Sequence, residues 1–400
     1  MPAIAAPGSS APQTFETAFD PKNNAFGFLR LILALLVIFS HSYPLGGFGP
    51  DPLEAYTNQR HSIGLVAVAM FFVLSGFLVC RSAAGAISVP RFLWHRAVRI
   101  YPAYWMCLVL CACVFAPLFC LYQFGSFTKI FSLPEDSPQA FMTSNATLFH
   151  LQGASIPGVL DFEHRDFGGL LARNPYPYAL NGSLWSLPFE VTCYIGLAGL
   201  AVLGVLRRAR SVVLAIFVML WALYAFESLD PVRFHSHFPA IGLNSLVMLC
   251  LFFSAGCTAF LYRAKIRHSS LLFAIAVAAI AASLPLGVYA LVAPVAITYA
   301  FLWLAFSLPF GWFEKKGDFS YGTYIYAFPV QQGLALLGIH EQGFASFFLC
   351  AVLLTLVLAF FSYRLIERPA LRFRSVQLPG WLSTERWRAA YPKPTADAAA

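Results

Sequence analysis

The sequence predicts an all-α polytopic membrane protein, a bundle of about ten transmembrane helices with both termini in the cytoplasm. Three observations carry this. Hydrophobic residues make up 59% of the 400-residue chain, charged residues only 11%, and mean hydropathy is +0.69. A soluble domain has about 25% charged residues, so this chain cannot cover a water-facing surface. The apolar residues also fall into runs long enough to cross a bilayer, which takes about 20 residues. Finally, the net charge of +8 is unevenly spread along the chain. Of the 26 basic residues, the segments read as outer loops hold only Arg60, Lys129, Arg165, Arg173 and Arg233. The positive-inside rule then sets N-in, C-in. No base-reading or phosphate-loop motif accompanies the charge, so nucleic acid is not the partner.

The elements follow in order. Residues 1–23, rich in Ala, Pro, Ser and Thr, read as a disordered cytoplasmic tail without a cleavable leader. The first span runs from Asn24 to Pro44 and ends at Pro44-Leu45-Gly46-Gly47. The second covers about 62–80. A basic loop with Arg81, Arg91, Arg96 and Arg99 leads to the third, about 100–121, which opens on the aromatic anchor Tyr101, Tyr104 and Trp105. A long outer segment, about 122–181, precedes the fourth span at 184–206. The fifth and sixth occupy about 211–226 and 240–262. The uncharged run 270–310 is too long for one span, and Leu284-Pro285-Leu286-Gly287 splits it into the seventh and eighth. The ninth and tenth occupy about 319–339 and 343–363. A basic cytoplasmic tail, 375–400, follows.

Polar residues inside such spans mark function, because an ionisable group in hydrocarbon costs several kcal/mol. Arg30 and His41 both lie in the first span. Eleven residues at 100° each leave them about 20° from alignment, on one helix face and about 16 Å apart. Arg30 is either functional or snorkels to nearby headgroups. Glu190 lies early in the fourth span, after Pro188, which suits a first helical turn. Counting inward from the outer loop puts Glu190 and His41 at one depth, within roughly 10 Å of the outer surface. A carboxylate and an imidazole there make an acid–base pair, the imidazole removing a hydroxyl proton. The competing reading of Glu190 is a solvated helix-start carboxylate. Arg96 and Arg99 are three apart, neighbours if helical, and guanidinium forks suit phosphate. Ordinary positive-inside charge also explains them.

Other features point less sharply. The nine cysteines sit in apolar runs and read as packing. His235-Ser236-His237 has no third ligand in sequence, so no metal is expected. Asp161 to Asp166 could contact a polar acceptor, and Asn145 and Asn181 start glycosylation sequons of low specificity.

Six stretches, in this order, resemble the acyltransferase-3 family of bacterial integral-membrane O-acyltransferases, which modify O-antigen, exopolysaccharide and Nod factors. They are Arg30 with His41; Phe71-Phe72-Val73-Leu74-Ser75-Gly76-Phe77-Leu78; Arg96-Ala97-Val98-Arg99-Ile100-Tyr101-Pro102; Ser183-Leu184-Trp185-Ser186-Leu187 with Glu190; Phe319-Ser320-Tyr321-Gly322-Thr323-Tyr324; and Ile366-Glu367-Arg368-Pro369-Ala370. The resemblance makes 24–374 an acyltransferase-3-like transmembrane domain of a multi-pass protein of the bacterial inner (cytoplasmic) membrane.

It implies an acyl-CoA co-substrate, typically acetyl-CoA from the cytoplasm, no bound cofactor, and a carbohydrate hydroxyl as acceptor. The family's functional positions map onto His41, Arg30, Arg96 and Arg99. On that basis His41 and Glu190 are the catalytic candidates, Arg30, Arg96 and Arg99 the acyl-CoA contacts, and Trp185, Ser75 and Tyr321 the substrate contacts. One departure is visible. Many members carry a His in the ninth span where this chain has Ala327, so His41 serves alone or with Glu190. A transporter or flippase using His41 as a proton relay is the alternative.

Overall fold

The computed structural model describes residues 13–85, 88–132, 137–148, 170–237 and 244–376. Among these residues no strand forms, and helices occupy all the apolar runs. We label the long helices α1 (Phe26–Leu45), α2 (Ile63–Gly85), α3 (Val89–Leu110), α4 (Leu187–Val202), α5 (Arg210–Leu229), α6 (Asn244–Leu261), α7 (Ser270–Ser283), α8 (Tyr289–Ser307), α9 (Ser320–Leu336) and α10 (Phe344–Ser362). Among the described residues seven helical stretches are long and apolar enough to cross a membrane, and α6 and α7 are shorter apolar helices. The chain is a multi-pass helical membrane protein.

The turn between α7 and α8 falls where the Leu284-Pro285-Leu286-Gly287 sequence puts it, and Gly287 takes a φ of 67° that favours glycine. Pro188 lies in the first turn of α4. Two helices run on through a π-type turn. After α3, residues Cys111–Phe115 lead into a helix at Ala116–Phe124; after α10, Tyr363–Glu367 lead into Arg368–Ala370. In each case a proline follows, Pro117 or Pro369, whose missing N–H removes one backbone bond, and a wider turn absorbs the defect.

Packing is closest between α2 and α6. A Cβ on Gly76 would sit 2.0 Å from the Phe253 carbonyl oxygen, and one on Gly256 would sit 2.1 Å from that of Val73. Small residues let the backbones touch, the usual device where lipid offers no hydrophobic drive for helix association. Part of the Phe71–Leu78 motif is therefore explained by packing alone.

The structure corrects three expectations. Residues 13–23 are not a free tail: Phe15 is buried, its N–H donates to the Ile266 carbonyl at 2.9 Å, and Glu16 pairs with Arg263 at 2.8 Å. An aromatic residue every few positions (Phe15, Phe19) gave this stretch enough apolar surface to dock. The third helix starts at Val89, not near residue 100, because Ser88 caps it by accepting from the Arg91 N–H at 3.3 Å and Pro90 fits its first turn. Arg96 and Arg99 are thus helical neighbours rather than loop residues.

The end of the segment placed outside the membrane, residues 170–186, is also not a surface loop. Asn174, Ala179, Leu180, Asn181, Ser183 and Leu184 are all buried. Asn181 donates to the Ile325 carbonyl at 2.9 Å, and Gln332 donates to the Tyr176 and Ala179 carbonyls. The chain dips into the bundle against α3 and α9 before α4 begins and buries Asn181; Asn145 is buried separately, its carbonyl accepting from the Tyr104 hydroxyl, so both sequons are structural. Asp161 to Asp166, and the tails 1–12 and 377–400, lie outside the described residues.

Candidate functional site

A cavity of about 650 Å³ lies between α1, α2, α3, α4 and α9. Its lining includes five arginines, Arg30, Arg81, Arg96, Arg99 and Arg374, together with Ser75, Glu190, Tyr194 and Tyr324. Tyr321 lines it too, its hydroxyl donating to the Ile100 carbonyl at 3.1 Å.

Asp318 organises two of the arginines. Arg30 Nη1 donates to Asp318 Oδ2 at 2.9 Å, and Arg99 Nη2 donates to the same oxygen. The other oxygen accepts from the Ser320 hydroxyl and, at 3.2 Å, from the Ser320 N–H. Arg99 Nη1 is 4.0 Å from Glu367 Oε2, which the π-type turn after α10 turns inward. Burial alone would raise the Asp318 carboxyl; Arg99, then Arg30, then Ser320 outweigh it and hold the group well below the usual carboxylate range. Arg96 is different. It lines the cavity, and its Nε is buried without a hydrogen-bond partner.

Sequence reasoning missed Asp318. The signal was present: Asp two residues before Ser320 at a helix start is a capping pattern. That pattern alone does not mark a site, because only the fold shows that two arginines from other helices converge on Asp318.

Glu190 belongs to the same cavity. Its Oε1 accepts from Tyr194, one turn on along α4, and from Ser75 at 3.3 Å, while Ser75 Oγ and Tyr194 OH are 3.0 Å apart. Ser75 lies midway along α2. The expected position of Glu190, near the outer surface beside His41, is therefore corrected. The residues before α4 are buried in the bundle, so counting depth from residue 184 started too late. Trp185, from the same motif, does not line the cavity and packs edge-on to Phe189 at 5.9 Å. Its neighbour Ser186 does line it and bonds Tyr324 OH at 2.7 Å.

His41 sits at the other end of α1. Arg30 and His41 both face the α9 chain, as their spacing predicts: Arg30 meets Asp318, and His41 packs edge-on to Phe328 at 5.3 Å. Ala327 beside it is fully buried. His41 Nδ1 is buried and has no hydrogen-bond partner. The adjacent Ser40 donates to Asp51 Oδ2 at 2.5 Å, and Asp51 also accepts from the N–H groups of Ile63, Leu53 and Glu54. His41 is not among the residues lining the arginine cavity, and no hydrogen bond or ion pair joins it to Glu190.

The family model described as an acyltransferase domain, of the acyltransferase-3 type, matches residues 23–364. The chain belongs to this family. The acyltransferase is 30% identical over 365 residues to a protein named O-acetyl transferase from Shigella phage Sf6, covering 89% of this chain and 98% of that one. It is 26% identical over 374 residues to Nodulation protein 10 of Rhizobium leguminosarum bv. viciae, covering 88% and 94%. A third similarity, to Protein 2 in the picA locus of Rhizobium radiobacter, is 34% over 107 residues and covers 26% of this chain and 49% of that one. No solved structure matches.

Proposed function

We propose that this acyltransferase transfers an acetyl group from cytoplasmic acetyl-CoA to a hydroxyl of a surface or lipid-linked carbohydrate, in the bacterial inner membrane. In this reading the chain crosses the membrane about ten times with both termini inside. The observation that carries it is the lining of the cavity, where arginines share one space with a carboxylate–hydroxyl cluster about midway along α2. Guanidinium forks recognise phosphate, and a long acyl arm is the kind of ligand that joins a phosphate site to a reaction centre deep in a bundle. The name of the phage relative supports acetyl as the group transferred.

Arg30, Arg96 and Arg99 line the space that admits the donor, with Asp318 holding Arg30 and Arg99 in place. Ser75 and Tyr321 flank the arm. The thioester carbonyl is carried along α1 toward His41, where the acceptor enters from the opposite face. His41 removes the proton of the sugar hydroxyl. The oxygen attacks the carbonyl carbon, the C–S bond breaks, and the thiolate of CoA leaves and takes up a proton. Enclosure by the helices excludes water, which would otherwise hydrolyse the thioester. Transport with His41 as a proton relay is not favoured, since the family matched is one of acyltransferases.

The test is surface-glycan O-acetylation in a deletion strain complemented with wild type or His41→Ala at equal membrane abundance. Wild type should restore acetyl esters and the variant should not. Full activity of the variant removes His41 from the chemistry. Absence of acyl esters on every glycan fraction with wild type removes the carbohydrate acceptor.

A further inference from the structure

The stretch after the last long helix, Leu371–Ser375, lies across the first turns of α3. Arg91 Nη1 donates to the Val376 carbonyl at 2.7 Å, Trp94 Nε1 donates to the Phe373 carbonyl at 2.9 Å, and His95 Nε2 meets the Arg374 carbonyl at 3.3 Å. All three contacts are to backbone, so they fix the path of this strap whatever its side chains are. That path delivers Arg374 to the cavity and leaves Arg372 exposed.

Arg374 arrives in an unfavourable place unless an anion joins it. It interacts repulsively with Arg96 and Arg99. Its Nε is buried and unpartnered, as is that of Arg96. The carboxylates on the cavity wall are engaged or remote: Asp318 bonds Arg30 and Arg99, Glu190 bonds Tyr194 and Ser75, and Glu314 is exposed at the rim. Among the described residues no carboxylate comes within ion-pair distance of Arg96 or Arg374. Like charges held together with buried, unbonded N–H groups form an anion site, and two planar forks suit phosphate oxygens.

We propose that Arg374, presented by the strap, forms with Arg96 the phosphate-binding site of a phosphorylated acyl carrier, while Arg30 and Arg99 are held by Asp318 to shape the wall. The assignment rests on the donor reading given above and adds a ligand from outside the helical bundle. Trp94 is a positioning residue for it, acting through the strap.

The experiment measures binding of coenzyme A and of inorganic pyrophosphate to the purified full-length chain in detergent, across a salt series. Losing one charge-assisted contact should weaken CoA on the order of 10–100-fold in Arg374→Ala, with a shallower salt dependence. Arg374→Lys should retain part of the affinity, and Arg372→Ala should match wild type. With acetyl-CoA as substrate, Arg374→Ala should raise KM and leave kcat unchanged. If Arg374→Ala binds CoA like wild type, or binds weakly with an unchanged salt slope, the site is overturned. If wild type ignores CoA but takes pyrophosphate in an Arg374-dependent way, the anion site stands and the donor reading falls. If wild type binds neither, both fall.

Discussion

The two ends of α1 solve the problem of a polar group in a membrane in opposite ways. At the Arg30 end charge answers charge: Asp318 bridges two arginines from different helices, and Ser320 saturates its second oxygen. At the His41 end the imidazole is set against Phe328 with Nδ1 unbonded, and the nearby Asp51 is already satisfied by Ser40 and three backbone N–H groups. A densely bonded group holds structure together; a buried group with unused bonding capacity is available for chemistry. Substitutions at the first end should therefore cost stability, and at the second activity.

The sharpest break of this contrast is His41→Ala. Loss of a general base lowers turnover about 10²–10⁴-fold. Because Nδ1 has no partner to lose, the thermal midpoint should stay within a few degrees of wild type. A variant that unfolds instead would make His41 a structural residue.

Asp318→Asn tests the other end. Removing the charge from a buried pair typically costs roughly 3–5 kcal/mol, since the remaining ions are left uncompensated. The variant should melt well below wild type in detergent. The pH behaviour follows in sign. Arg99 and Arg30 depress the folded-state carboxyl, so its contribution is complete above the ordinary carboxylate value of 3.8 and is lost only as pH falls below it. Melting curves between pH 5 and 8 should show no titration of this group.

Glu190→Gln decides which end the fourth-helix carboxylate serves. Its partners are Ser75 and Tyr194 in the arginine cavity. The expected result is roughly a tenfold rise in KM for acetyl-CoA, the scale of one charged hydrogen bond, with kcat less affected. A loss in kcat matching His41→Ala would restore the acid–base pair that the sequence suggested.

The smallest effect concerns His61, which stacks on Tyr289 at 4.2 Å near the His41 end. Burial first, and Arg60 second, lower its folded pKa below the ordinary 6.5. The unfolded chain then takes up the proton at higher pH than the folded one, so stability is complete above about 6.5 and declines below it. Wild type should lose slightly more stability than His61→Asn between pH 7.5 and 5.5, by less than about 1 kcal/mol. Equal losses would mean that His61 titrates alike in both states.

The sequence by itself determined the class of this protein and most of its helices. Apolar runs of span length, the Leu284–Gly287 break and the 11-residue spacing of Arg30 and His41 are local properties, fixed by hydropathy and helical periodicity; among the described residues the fold keeps the break, the shared face and seven helical stretches of span length. What the tertiary structure alone decided is which polar groups meet. Asp318 reached Arg30 and Arg99 across 288 and 219 residues. Glu190 went to Ser75 rather than to the depth of His41, because the buried stretch before α4 carries its helix start inward. Arg374 entered the cavity because three α3 side chains grip the backbone of the strap. Pairings of this kind depend on helix order and on where irregular backbone can find internal hydrogen bonds, and neither is written in the periodicity of any single run.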